Sequence, residues 1–232
     1  MIGLGTAINI GLIIAGSLCG LAFGRFMKEN LKQTLMMVSG IIVLLLGMSG
    51  AMQYMLVIVN GTLQTTGPML MIISMVAGAV IGELIDLNRW ITVFGDWVKA
   101  KTGNTGDPQF THAFITASLT FTVGAMGVLG SIQDGLTGNY QTLLLKGILD
   151  GIIVMVMVSS MGKGALFSFI PVGITQWIIT AMAHIAAPLM TPSAIDNLSY
   201  VGSILIFCVG IDLIWPGKIR IANLLPAIFV AM

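Results

Sequence analysis

Apolar positions run along this chain in long blocks, and polar positions gather in short turns between them. Residues 1–24 hold no charge, and neither do residues 33–82. A helix crosses the roughly 30 Å of membrane hydrocarbon with about 20 residues. The first block therefore predicts one span. The second is long enough for two, divided by the polar turn Asn60-Gly61-Thr62-Leu63-Gln64-Thr65-Thr66-Gly67-Pro68. Residues 109–133 predict a fourth span and about 141–160 a fifth. Residues 164–195 hold a sixth that opens near Pro171, since proline suits the first helical turn. Residues 198–215 form a seventh, and 219–232 an eighth apolar segment of 14 residues, short for a full crossing. In the one long loop, about 86–110, Trp90, Val93, Phe94, Trp97 and Val98 recur at helical spacing beside Asp96, Lys99 and Lys101. That pattern predicts a helix lying in the membrane interface.

The basic residues give this count a direction. Arg25, Lys28 and Lys32 follow span one; Arg89, Lys99 and Lys101 follow span three; Lys163 follows span five; Lys218 and Arg220 follow span seven. The alternate loops, near 60–67, 132–140 and 191–197, carry no Lys or Arg. Basic loops stay cytoplasmic, so both termini are expected outside.

Composition agrees with a membrane solvent. Of 232 residues, 56% are hydrophobic and 8% charged, against roughly 25% charged in soluble domains. Mean hydropathy is +1.01. A soluble enzyme, a disordered chain and a disulfide scaffold are excluded. A formal charge of +1 offers no broad basic field for nucleic acid. Cys19 and Cys208 both lie in apolar runs, and His112 and His184 lack metal-ligand spacing. No nucleophile–base pair is visible, so no enzyme, metal or cofactor is expected.

A shift of 111 overlays Gly40-Ile41-Ile42-Val43 on Gly151-Ile152-Ile153-Val154, Gly16 on Gly127 and Ser49 on Ser160. Spans one to three then match spans four to six. A unit with an odd number of crossings returns inverted, as in many secondary transporters. The expected architecture is an all-α polytopic membrane protein with seven to eight transmembrane segments, a three-plus-three inverted-topology repeat and a C-terminal hairpin. Its parts are 1–85, the interfacial helix and linker 86–110, 111–190 and 191–232. A competing shift of 163 overlays Gly47 on Gly210 in spans two and seven.

Ionisable groups inside a bilayer are costly and usually face a cavity or a partner. Lys146 and Asp150 stand four residues apart in span five and share a helical face. They are either an internal pair that only eases insertion or a charge switch for a coupling ion. Span four carries Thr116, Ser118, Thr120 and Thr122, then Gly124, Gly127 and Gly130, then Ser131, Gln133 and Asp134. Glycines at this spacing suit a small-residue helix contact or a broken helix whose carbonyls join Thr120, Ser131, Gln133 and Asp134 as hard oxygen ligands for a monovalent cation. Secondary candidates are Glu83, which closes span three beside the interface, Asn223, which interrupts the short last segment, and Asn9 in span one, which suits a helix-to-helix hydrogen bond. His184 reads as mid-span in segment six, and Asp212 as a partner for Lys218. Gly16, Gly20 and Gly24 offer a face for a homodimer or for contact within the monomer.

The run Ala125-Met126-Gly127-Val128-Leu129-Gly130-Ser131-Ile132-Gln133-Asp134-Gly135-Leu136, continued by Lys146-Gly147-Ile148-Leu149-Asp150-Gly151, resembles the YdfK/YqgA-type bacterial membrane proteins, domain of unknown function 554. Gly5-Thr6-Ala7-Ile8-Asn9 and 218–227 resemble them too. The resemblance implies a bacterial inner-membrane protein and carries no substrate or catalytic residue. The expected function is secondary transport of a small solute coupled to Na+ or H+, with the site at the span-four break and span five. A passive channel, or a structural or sensory protein without transport, is the alternative.

Overall fold

The computed structural model describes residues 1–232 except Arg25, Val123, Gly124, Ala187, Leu189 and Met190. Of the residues singled out above, Arg25 and Gly124 thus lie outside the described residues. Twelve helices are described: α1 (Leu4–Gly24), α2 (Glu29–Met55), α3 (Pro68–Ile85), α4 (Leu87–Lys101), α5 (Phe110–Thr122), α6 (Ala125–Thr137), α7 (Gln141–Met161), α8 (Phe169–Ala181), α9 (Ala183–Ala186), α10 (Pro192–Ile214), α11 (Ile221–Leu224) and α12 (Pro226–Ala231). A 3-10 segment, Lys163–Ser168, leads into α8. Among the described residues six helices are long and apolar enough to cross a membrane, or seven if α5 and α6, bent by 60° to one another, make one span together. The last segment, 221–231, is a shorter apolar helix broken at Leu225.

Two expectations change. The turn after α2 is a β-hairpin, β1 (Leu56–Val59) against β2 (Thr62–Thr65). Asn60 and Gly61 carry φ of 51° and 77°, the left-handed pair that a two-residue hairpin turn requires. His184 is not mid-span. The 3-10 segment starts the crossing at Lys163, so 163–181 already spans it, and His184 sits exposed in α9 beyond.

α7 and α10 form the centre. In their apolar windows 50% and 56% of residues are buried, against 22%, 22% and 17% in α1, α2 and α3. α1 seams to α7, and α2 to α10. A Cβ on Gly16 would collide with the Gly151 carbonyl, and one on Gly20 with the Met155 carbonyl. Gly47 meets the Phe207 backbone in the same way, and Gly210 that of Leu44. Small residues let backbones approach this closely, so the Gly16–Gly20–Gly24 face is used inside the chain, not for a dimer. The bent pair α5–α6 and α8 lie with α1 and α7; α3 and the broken α11–α12 lie with α10. Both sequence registers compare α2 with a helix it touches, α7 at one shift and α10 at the other.

The basic loops gather at one end. There Arg220 pairs with Glu83 at 3.1 Å, His112 Nε2 faces an Asp212 oxygen at 3.4 Å, and the Asn88 N–H donates to Asn223 Oδ1 at 2.6 Å. α4 lies across this end, with Phe94 against Phe114 and Thr111 donating to Asp96. Its Trp90, Val93 and Trp97 are exposed.

Candidate functional site

α7 alternates glycine with polar residues on its buried face: Lys146, Gly147, Asp150 and Gly151. The glycines admit α1, and the polar side chains follow them inward. Lys146 and Asp150 are each 7% exposed and bonded to one another, as the four-residue spacing predicts. On α1 the buried stripe Gly5, Thr6, Asn9, Ile13, Ser17 and Gly20 recurs every three or four residues. This phase turns Asn9 to α7. Its Oδ1 lies 3.1 Å from where a Cβ on Gly147 would stand. Asn9 is fully buried and sits beside the Asp150 carboxylate, with its amide oxygen unpartnered. The helix-to-helix contact expected of Asn9 is thus made with the Asp150 carboxylate of α7.

Gly127, just past the α5–α6 bend, closes the other side. A Cβ there would stand 3.4 Å from Lys146 Cε and 3.8 Å from Gln176 Nε2. Gln176 comes from α8, is 3% exposed, and leaves both amide atoms unpartnered, as Thr122 does its hydroxyl. Gly127, Thr122 and Gln176 share a cavity of about 10 Å³. Sequence reasoning missed Gln176, although a lone amide in the apolar run 169–181 was a readable signal.

The other candidates stand elsewhere. Ser131 is buried and donates to the Gly127 carbonyl, Thr120 to that of Thr116, and Ser118 to that of Phe114. Serine and threonine in a helix bond back to the carbonyl four residues earlier. These hydroxyls thus serve their own backbone, and no cage of span-four oxygens forms among the described residues. Gln133 is exposed and accepts from Thr142 of α7. Asp134 is fully buried against the start of α1, where its Oδ2 accepts the N–H groups of Gly5 and Thr6 at 3.0 and 3.4 Å. A carboxylate there meets the positive end of the helix dipole. Glu83 pairs with Arg220 on the exposed surface, and Asn223 holds the start of α4. Asp212 takes the Gly217 N–H and His112 as partners, not Lys218, because the turn after Ile214 folds its own backbone onto the carboxylate.

A second cavity, about 400 Å³, begins between His112, Asp212 and Arg220 at the basic end. It follows Ile115, Thr116 and Leu119 along α5 to within one turn of its last residue.

The model of the family described as "Protein of unknown function (DUF554)" matches residues 4–232. The "Uncharacterized membrane protein YdfK" of Bacillus subtilis (strain 168) is 28% identical over 227 residues, covering 97% of this chain and 93% of that protein. The "Uncharacterized protein YqgA" of Escherichia coli (strain K12) is 24% identical over 237 residues, covering 99% and 94%. No solved structure matches. A family match over nearly every residue of a chain built from membrane-length apolar helices identifies it: the chain belongs to the DUF554 family and is an all-α polytopic membrane protein.

Proposed function

We propose that the chain is a secondary transporter of a small solute, coupled to Na+ or H+, in the bacterial plasma membrane. The Lys146–Asp150 pair lies at its site, flanked by Asn9, Gln176, Thr122 and Gly127. One observation carries this reading: two buried amides, Asn9 beside Asp150 and Gln176 across Gly127 from Lys146, hold unpartnered polar atoms around a buried ion pair. A buried polar group left unmet costs about 1–3 kcal/mol. Several such atoms on the two sides of one ion pair favour occupants that bind and leave. The bend beside Gly127 fits the same reading, since discontinuous helices line the sites of many transporters. The cavity along α5 supplies an approach from the basic end. Alternating access follows if the group holding α1 and α7 rocks against the group holding α2 and α10.

The test is thermal unfolding of the purified protein in detergent across Na+, K+, Li+, pH and a panel of small metabolites. A ligand that binds only the folded state stabilises by about 2.7 kcal/mol at a hundredfold excess over Kd. A selective rise in Tm that Asp150→Asn abolishes is expected. A flat response in every condition would sink the reading.

A further inference from the structure

We infer that the site takes two ions of opposite charge together, a monovalent cation on Asp150 and a small monovalent anion on Lys146. This rests on the transporter reading and names its substrate class. Among the described residues Lys146 is the one charged neighbour of Asp150, and both are almost fully buried. A cation bound alone would free the Lys146 ammonium into a low-dielectric interior. An anion bound alone would free the Asp150 carboxylate. Leaving one charge of a buried pair uncompensated is the costly state. Two opposite ions bound at once keep the site neutral before, during and after occupancy. Each ion then binds on condition that the other is present, and the transported unit carries no net charge.

The unpartnered groups divide in the same sense. Asn9 sits beside Asp150 with a free amide oxygen, a ligand suited to a hard cation. Gln176 Nε2 and the Thr122 hydroxyl are free donors around the Gly127 cavity, on the side where Lys146 Cε lies. That cavity, about 10 Å³, has the size of one water. The anion is therefore small, and the two ions separate the resident pair instead of filling an open chamber. Chloride and a short carboxylate share this chemistry.

The experiment uses the purified full chain in sodium chloride, sodium acetate, choline chloride, choline acetate, sodium gluconate and choline gluconate. Sodium with chloride or acetate is expected to raise Tm; choline with either anion, and sodium with gluconate, are expected to match choline gluconate. The chloride and acetate arms tell the two anions apart. Replacing sodium by choline should weaken apparent anion affinity on the order of a hundredfold. Independent, additive shifts from either ion overturn the inference. The double variant Lys146→Gln/Asp150→Asn removes both charges together, so it is expected to fold and to lose both responses; retention of either overturns the inference. In proteoliposomes, uptake of radioactive sodium should require chloride or acetate and ignore a potassium diffusion potential. Uptake driven by that potential overturns paired binding while leaving the transporter reading intact. No uptake together with no Tm shift overturns both.

Discussion

Asp134 and Asp150 are both buried carboxylates, and their neighbours give them different work. Asp134 faces two backbone N–H groups in the first turn of α1. Asp150 faces an ammonium. Asp134→Ala leaves Gly5 and Thr6 donors buried and unmet, which should cost about 1–3 kcal/mol. Asp134→Asn keeps an acceptor and loses only the charge facing the helix dipole, about 0.3–1 kcal/mol. Chemical or thermal unfolding in detergent measures both, and both variants should keep any ligand-induced Tm rise that Asp150→Asn loses. Loss of that rise in Asp134→Asn would make this residue part of the site. The sequence names the oxygen-bearing residues of 131–134 without their roles. Only the helical phase, once α6 is seated against α1 and α7, separates buried Ser131 and Asp134 from exposed Gln133. Gln176 stands alone in an apolar run, and only its burial where α8 packs on α6 marks it as an unmet polar group.

At the scale of elements, glycine decides where helices meet. Gly16 and Gly11 both lie in α1. A methyl group on Gly16 has nowhere to go but into the Gly151 carbonyl, while nothing stands within 4 Å of a Cβ on Gly11. Gly16→Ala should therefore destabilise by about 1–3 kcal/mol through forced separation of α1 and α7. Gly11→Ala should be neutral, or stabilise by up to about 1 kcal/mol through helix propensity. Unfolding midpoints of the two variants, compared side by side, check this; equal effects would remove the seam from the account. Long apolar runs made α1, α2, α3, α7 and α10 legible, because hydrocarbon thickness sets one length for every crossing. The hairpin was hidden because a short strand pair outside that length reads as a polar turn, although Asn-Gly marks it. The α1–α7 and α2–α10 seams were not legible either. Glycines flag close contact but do not say with which helix, and Gly16 and Gly20 fitted a dimer as well as a monomer.

The whole molecule sorts its charge by end, and that sorting gives an orientation to test. The Glu83–Arg220 and His112–Asp212 contacts and the Asn88–Asn223 bond gather at one end. The hairpin and the turn around Gly138 lie at the other. The short last segment decides where the chain finishes. It starts beside Asn88 and Glu83 at the basic end, and the Ala231 carbonyl accepts from Asn197, in the second turn of α10. α11 and α12 thus run from the basic end to the level of Asn197, and Met232 follows there. With basic loops held in the cytoplasm, single cysteines placed on a background of Cys19→Ala and Cys208→Ala should report accordingly. Leu63→Cys in the exposed hairpin and Met232→Cys at the terminus should react with a membrane-impermeant maleimide in intact cells. Gly106→Cys, in open space beyond α4, should react only after permeabilisation. Exchange of the Leu63 and Gly106 results would invert the molecule, and with it the side on which the α5 cavity opens. Protection of Met232→Cys alone would mean that the last segment enters the membrane without crossing it, leaving seven crossings and a C-terminus within the bilayer.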